Sequence, residues 1–171
     1  MKNADGIDLR QGCHDIVIEN ITGFTEDDSV ALTGLKGSIE HEFAVDGMST
    51  DICRIQIRNV KTAAFCTNVR LLNQGGIKLH DILIDGVEDV SKDSPHMDKG
   101  IFTVRIGDNR MYGERHATSD ETYNITVRNV RGRGQAVISL AGAMTNLVMY
   151  GIESVEGAQL IKDERTEIVY A

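Results

Sequence analysis

The sequence predicts an all-β chain wound as a single parallel β-helix of about five to six coils. Three observations predict it: a strand unit that recurs five times, a second apolar strand after each unit, and no window with the periodicity of an amphipathic helix. The recurring unit is an alternating strand, then a turn residue, then a β-branched residue. It reads Ile16-Val17-Ile18-Glu19-Asn20-Ile21, Ile55-Gln56-Ile57-Arg58-Asn59-Val60, Ile82-Leu83-Ile84-Asp85-Gly86-Val87, Ile125-Thr126-Val127-Arg128-Asn129-Val130 and Leu147-Val148-Met149-Tyr150-Gly151-Ile152.

The fifth position is Asn or Gly in every copy, the two residues that best tolerate the left-handed conformation a sharp corner between strands requires. Stacked asparagines could also bond one another as a ladder. The second strands are expected at 29–32, 68–71, 102–106, 136–140 and 158–161, and one further strand at 6–10 precedes the first unit. The turn residues stand at 20, 59, 86, 129 and 151, so successive coils are 39, 27, 43 and 22 residues long. Twenty-two residues is thus the shortest coil, and the longer ones carry insertions at 35–50, 91–99 and 109–122, which would wall a groove. A β-sandwich needs no such consensus repeat, and a leucine-rich repeat needs a denser leucine pattern and a helix per repeat.

The chain has 171 residues, 41% of them hydrophobic, enough for one core and one domain spanning 1–171. Its formal net charge of −8 argues against nucleic acid and anionic membrane as partners. No stretch approaches the roughly 20 apolar residues of a membrane span, and the start lacks the apolar core of a secretory signal. The compartment stays open. Cys13, Cys53 and Cys66 read as small buried hydrophobes, with one bridge as the alternative. No metal or other cofactor is expected: His14, His80 and His96 are scattered singly, and the loop carboxylates Asp46, Asp51, Asp93 and Asp98 read as solvated groups rather than a calcium site. Arg128, Arg131 and Arg133 read as a solvated basic edge.

Two acidic segments carry the candidate chemistry. Asn3-Ala4-Asp5-Gly6-Ile7-Asp8 and Asp27-Asp28-Ser29-Val30-Ala31-Leu32 place Asp5 and Asp27 one shortest coil apart, hence on adjacent rungs. Rungs stack about 4.8 Å apart, and side-chain splay would bring the carboxyls to the roughly 6.5–9.5 Å that admits a water in an inverting glycosidase. Like charges so close raise one another's pKa, which lets one carboxyl keep its proton as a general acid. The same aspartates also suit plain corners, where they bond local backbone.

These segments resemble the acidic motifs of glycoside hydrolase family 28, the polygalacturonases and their relatives, which read approximately Asn-Thr-Asp-Gly-Ile-Asp and Asp-Asp-Cys-Ile-Ala-Ile. Asn68-Val69-Arg70-Leu71-Leu72 is similar to that family's Arg-Ile-Lys strand. The resemblance covers about the first 75 residues and matches only the C-terminal part of the family's fold. It implies a right-handed, single-stranded, pectin lyase-like β-helix and hydrolysis of a pectic or related poly- or oligosaccharide with inversion. By resemblance Asp27 is the acid and Asp5 and Asp28 activate water. Arg70 would grip a substrate carboxylate as a bidentate fork, with Asn3, His41 and Arg105 as further substrate contacts.

The family's Gly-His-Gly is absent, with only His41 in Ile39-Glu40-His41-Glu42 nearby, and Leu72 stands where the family has lysine. Those departures weaken the case for a uronate and leave a deoxyhexose compatible. Family members place several coils before the first acidic motif, so the chain is expected to lack them and to be either a truncated form or fragment, or else a homo-oligomer that covers its open N-terminal end with a second copy. Two other functions fit the same residues: a non-catalytic carbohydrate-binding module whose acids persist only as corners, and an oligomeric assembly piece of the tail-fibre kind.

Overall fold

The computed structural model describes residues 4–35, 45–96, 100–109, 111–112 and 115–168. Ten strands carry almost all of the regular structure: β1 (Ile7–Leu9), β2 (His14–Thr25), β3 (Val30–Gly34), β4 (Ile52–Ala64), β5 (Thr67–Asn73), β6 (Leu79–Asp89), β7 (Phe102–Ile106), β8 (Thr122–Gly132), β9 (Ala136–Ser154) and β10 (Gln159–Ile168). The one helical element among the described residues is a single 3-10 turn, Ser91–Asp93. Every strand pair is parallel.

From β1 to β7 each strand pairs with the strand two further on; β9 is long enough to pair both β7 and β8, and β10 pairs β9. This gives one stack β1-β3-β5-β7-β9-β10 and a second β2-β4-β6-β8-β9, joined where β9 passes from one to the other. The chain therefore alternates between two parallel stacks that form one curled sheet, the winding of an all-β parallel solenoid. In the second stack Ile16 pairs Ile55, Ile55 pairs Ile82, Ile82 pairs Ile125 and Ile125 pairs Leu147, so the coil lengths read from the repeat are the observed register. The fifth repeat unit is not a separate strand: it continues from 136–140 through β9, turning at Gly142 (φ +70°) and Asn146 (φ +52°) without an insertion.

The corner prediction holds at each position. Asn20, Asn59, Gly86, Asn129 and Gly151 all have positive φ. Asn59 Nδ2 donates to Asn20 Oδ1 at 2.7 Å, and Asn129, with Gly86 below it, donates instead to Asp85 Oδ1. A second left-handed column, Asp15, Arg54, Asp81, Asn124 and Asn146, stands just before each unit. It carries its own ladder, in which Asn146 donates to Asn124 and Asn124 to Asp81.

Between the stacks lie rows of like side chains. Ile57, Ile84 and Val127 form one row, and Leu32, Leu71, Ile106 and Leu140 another, none of these residues more than 1% exposed. Each such side chain contributes roughly 1.5–3 kcal/mol by leaving water. Outside, charges alternate down the ladder: Lys61, Glu88, Arg131 and Glu153 pair in turn, as do Asp85 with Arg128 and Glu156 with Arg133. The three arginines expected as a solvated basic edge are thus ion-paired across rungs. The three cysteines are free: Cys53 is buried, Cys13 packs against the core and Cys66 is partly exposed.

Candidate functional site

The acidic residues sit where the chain enters the first strand stack, on the turns leading into β1 and β3. Gly6 joins them: its N–H donates to the Asp28 carbonyl at 2.9 Å, and a Cβ there would press on the Ser29 carbonyl oxygen at 2.6 Å, so the Asp-Gly pair has a packing reason. The Asp28 N–H donates in turn to Asp5 Oδ1 at 3.0 Å. Behind this turn the next rung holds it: Ser29 N–H donates to the Thr67 carbonyl and Cys66 N–H to the Asp27 carbonyl.

The rung partner of Asp5 differs from the one expected. Ile7 pairs Val30 and Asp8 pairs Ala31, an offset of 23 rather than 22, so Asp5 lies opposite Asp28, with Asp27 one position outside the register. The same offset of 23 recurs in this stack between β9 and β10, where Ala136 pairs Gln159, whereas the spacing of 22 belongs to the second stack, where Ile125 pairs Leu147. One carboxylate oxygen from each of Asp5, Asp27 and Asp28 nevertheless lies within 4.8 Å of the others. That is tighter than the roughly 6.5–9.5 Å expected of an inverting pair. A single water still bridges two oxygens this far apart with ordinary hydrogen bonds. Among the described residues this is also the one cluster of three carboxylate, imidazole or thiol groups arranged so that a cation could be held.

The environment sorts the three acids. Burial pushes Asp28 up to about 7, opposed by Arg70 and a bond from Thr67 and aided by Asp27 and Asp5. Asp5, at the rim, is also raised, chiefly by partial burial, with Asp27 adding to it and the Asp28 N–H pulling the other way. Cys66, directly behind Asp27, is pushed up to about 12 by burial and by hydrogen bonding to Asp27, so it stands there as a thiol and not as a thiolate nucleophile. Asp8 bonds Thr33 and pairs with Arg10, one pair of residues further along β1.

Arg70 lies on β5 at 5% exposure. Its Nη1 donates to the carbonyls of Gly107 at 2.7 Å and Leu71 at 3.2 Å, and its Nη2 lies 3.9 Å from Asp108 Oδ1. Burial, with Arg105 beside it, pushes its pKa down to about 10. Gly107 makes this seat: its φ of +84° suits glycine, and a Cβ there would run into the Ala141 carbonyl oxygen. Arg105 pairs Arg70 in register on β7, with its guanidinium 5.5 Å from the Phe102 ring.

The structure thus gathers Asp5, Asp27 and Asp28 at the start of the first stack, with Arg70 on the next rung acting on the Asp28 charge and Arg105 one rung beyond it. Asn3 and His41 lie outside the described residues. Sequence reasoning missed Asp108 and Cys66. Asp108 could have been found by its place directly after the strand that carries Arg105, and Cys66 by counting one coil on from Asp27. Elsewhere, His80 stacks on Tyr123 at 4.7 Å and bonds Asp81, and Glu121, held down to about 2 by Arg115 and two backbone N–H groups against the effect of burial, ties together the loops at Gly76 and Thr118. No protein-family model, curated protein or solved structure matches the chain.

Proposed function

We propose that the chain is a right-handed, single-stranded parallel β-helix of the pectin lyase-like kind, related to glycoside hydrolase family 28, and that it hydrolyses a glycosidic bond. The observation that carries the reading is the meeting of Asp5, Asp27 and Asp28 within 4.8 Å on adjacent rungs. Glycoside hydrolysis by single displacement needs one carboxyl to protonate the leaving oxygen and another to take a proton from the attacking water. By the resemblance Asp27 gives the proton while Asp5 and Asp28 hold the water. With Asp28 as part of the base, activity rises with pH through about 7 as it ionises.

The test is reducing-sugar release from pectic and rhamnose-containing oligosaccharides by the chain and by Asp27→Asn at equal concentration. Release that the substitution abolishes supports hydrolysis, and release that survives it, or none from either folded protein, counts against it.

One observation favours a second reading, a non-catalytic carbohydrate-binding module. Arg70 spends Nη1 on two backbone carbonyls and is nearly closed to solvent, so it does not present the two-pronged fork expected for a substrate carboxylate. Sugar binding with an intact fold and no release distinguishes that module from the hydrolase.

A further inference from the structure

Beside the acids, four buried polar atoms make no hydrogen bond: Asp28 Oδ1, Arg70 Nη2, Arg105 Nε and Asp108 Oδ1. They belong to neighbouring groups. Arg70 and Asp28 act on each other's charge, Arg70 faces Arg105 in register, and Arg70 Nη2 is 3.9 Å from Asp108 Oδ1. Arg70 and Asp108 are only 5% and 3% exposed, and their ion-pair contact of 3.9 Å is longer than a hydrogen bond, so the cost of burying these atoms is only partly offset.

The chemistry of the set restricts which partner would complete it. Two of the atoms are cationic donors and two are carboxyl oxygens, of which that of Asp28 belongs to a group that keeps its proton up to about pH 7. A carboxylate ligand would satisfy the arginines and be repelled by the aspartates; a cation would do the reverse. A hydroxyl both accepts and donates, and one hydroxyl oxygen lies within hydrogen-bond reach of atoms 3.9 Å apart. The charge balance agrees: Arg70 is already flanked by Asp28 and Asp108, and Leu72 occupies the next outward position of the strand, adding no cation.

We infer that Arg70, Asp108, Asp28 and Arg105 form a subsite that reads neighbouring hydroxyls of a neutral sugar, not the carboxylate of a uronate. The inference rests on the proposed glycoside site and assigns its substrate class. The four atoms are closed to bulk water, so occupancy requires a side chain to move. Buried groups built to bond hydroxyls discriminate strongly, because a ligand lacking them leaves the groups unpaired.

The test is binding to Asp27→Asn, which removes turnover, with a neutral rhamnose- and galactose-containing trisaccharide compared against trigalacturonate by calorimetry at fixed ionic strength. The expected result is tighter binding of the neutral sugar, weakened on the order of tenfold by an added Asp108→Asn. Arg105→Gln gives an independent reading should Asp108→Asn fail to fold, and is expected to weaken the same ligand. Equal or tighter binding of trigalacturonate, binding of neither sugar, or neutral-sugar affinity unmoved in the folded variants overturns the inference. The two proposals fail separately. Asp27-dependent hydrolysis confined to uronates removes the subsite and keeps the hydrolase, whereas Asp108-dependent binding of the neutral sugar without any hydrolysis keeps the subsite and removes the hydrolase.

Discussion

At the scale of single residues, the site depends on placing charge where water cannot relieve it. Asp28 has a folded-state pKa near 7 against an ordinary 3.8, so the native chain holds its proton more tightly than the unfolded chain. The sign follows: stability associated with this group is fully present below about pH 4 and is lost as the pH climbs through about 7, by roughly 4 kcal/mol at most. Asp28→Asn is therefore expected to raise the melting temperature at pH 8 and to change it little at pH 4; equal effects at the two pH values would show that Asp28 is not buried as described. The acids were legible in the sequence as types and spacing. Their sorting was not, because it comes from burial by neighbours and from a register of 23 rather than 22, and a spacing borrowed from another coil carries neither. Arg70 was legible as a basic residue on the right strand, but its capture by the Gly107 carbonyl depends on a turn that closes one coil later.

At the scale of elements, the strands and their corners were the most legible part of the fold. Alternation fixes which side chains enter the core, and the fifth-position Asn or Gly fixes where the chain turns. Asn59 carries both functions, a left-handed corner and a bond to Asn20. Asn59→Ala is expected to cost about 1–2 kcal/mol, while Asn59→Gly, which keeps the corner and loses only the bond, costs less; chemical denaturation of the two variants gives the comparison. The second left-handed column was missed, since Asp15, Arg54 and Asp81 share no residue type that announces a corner. β9 escaped the repeat reading for a related reason: with no insertion, its corner leaves no gap in the pattern of apolar residues.

The molecule as a whole behaves as stacked layers, each held by the rung before and after it, so the value of a core side chain depends on whether both neighbours are present. Leu71 is wholly buried between Leu32 and Ile106, whereas Leu9, in the same row, is 9% exposed and has a described rung on one side. Leu71→Ala is expected to cost about 3–5 kcal/mol and Leu9→Ala clearly less; the two denaturation midpoints decide it. The layered register also makes the chemistry: no single strand holds an acid site, and stacking one coil on the next creates it from residues 23 positions apart.

The central claim is that this stacking makes Asp5, Asp27 and Asp28 one electrostatic unit. The most direct measurement is a pH titration of the side-chain carboxyl carbons by NMR in the intact chain and in Asp5→Asn. One aspartate, Asp28, is expected to titrate near pH 7, with its midpoint falling when the facing Asp5 charge is removed. Asp28 titrating with the ordinary carboxylates near pH 4, unmoved by Asp5→Asn, would contradict it.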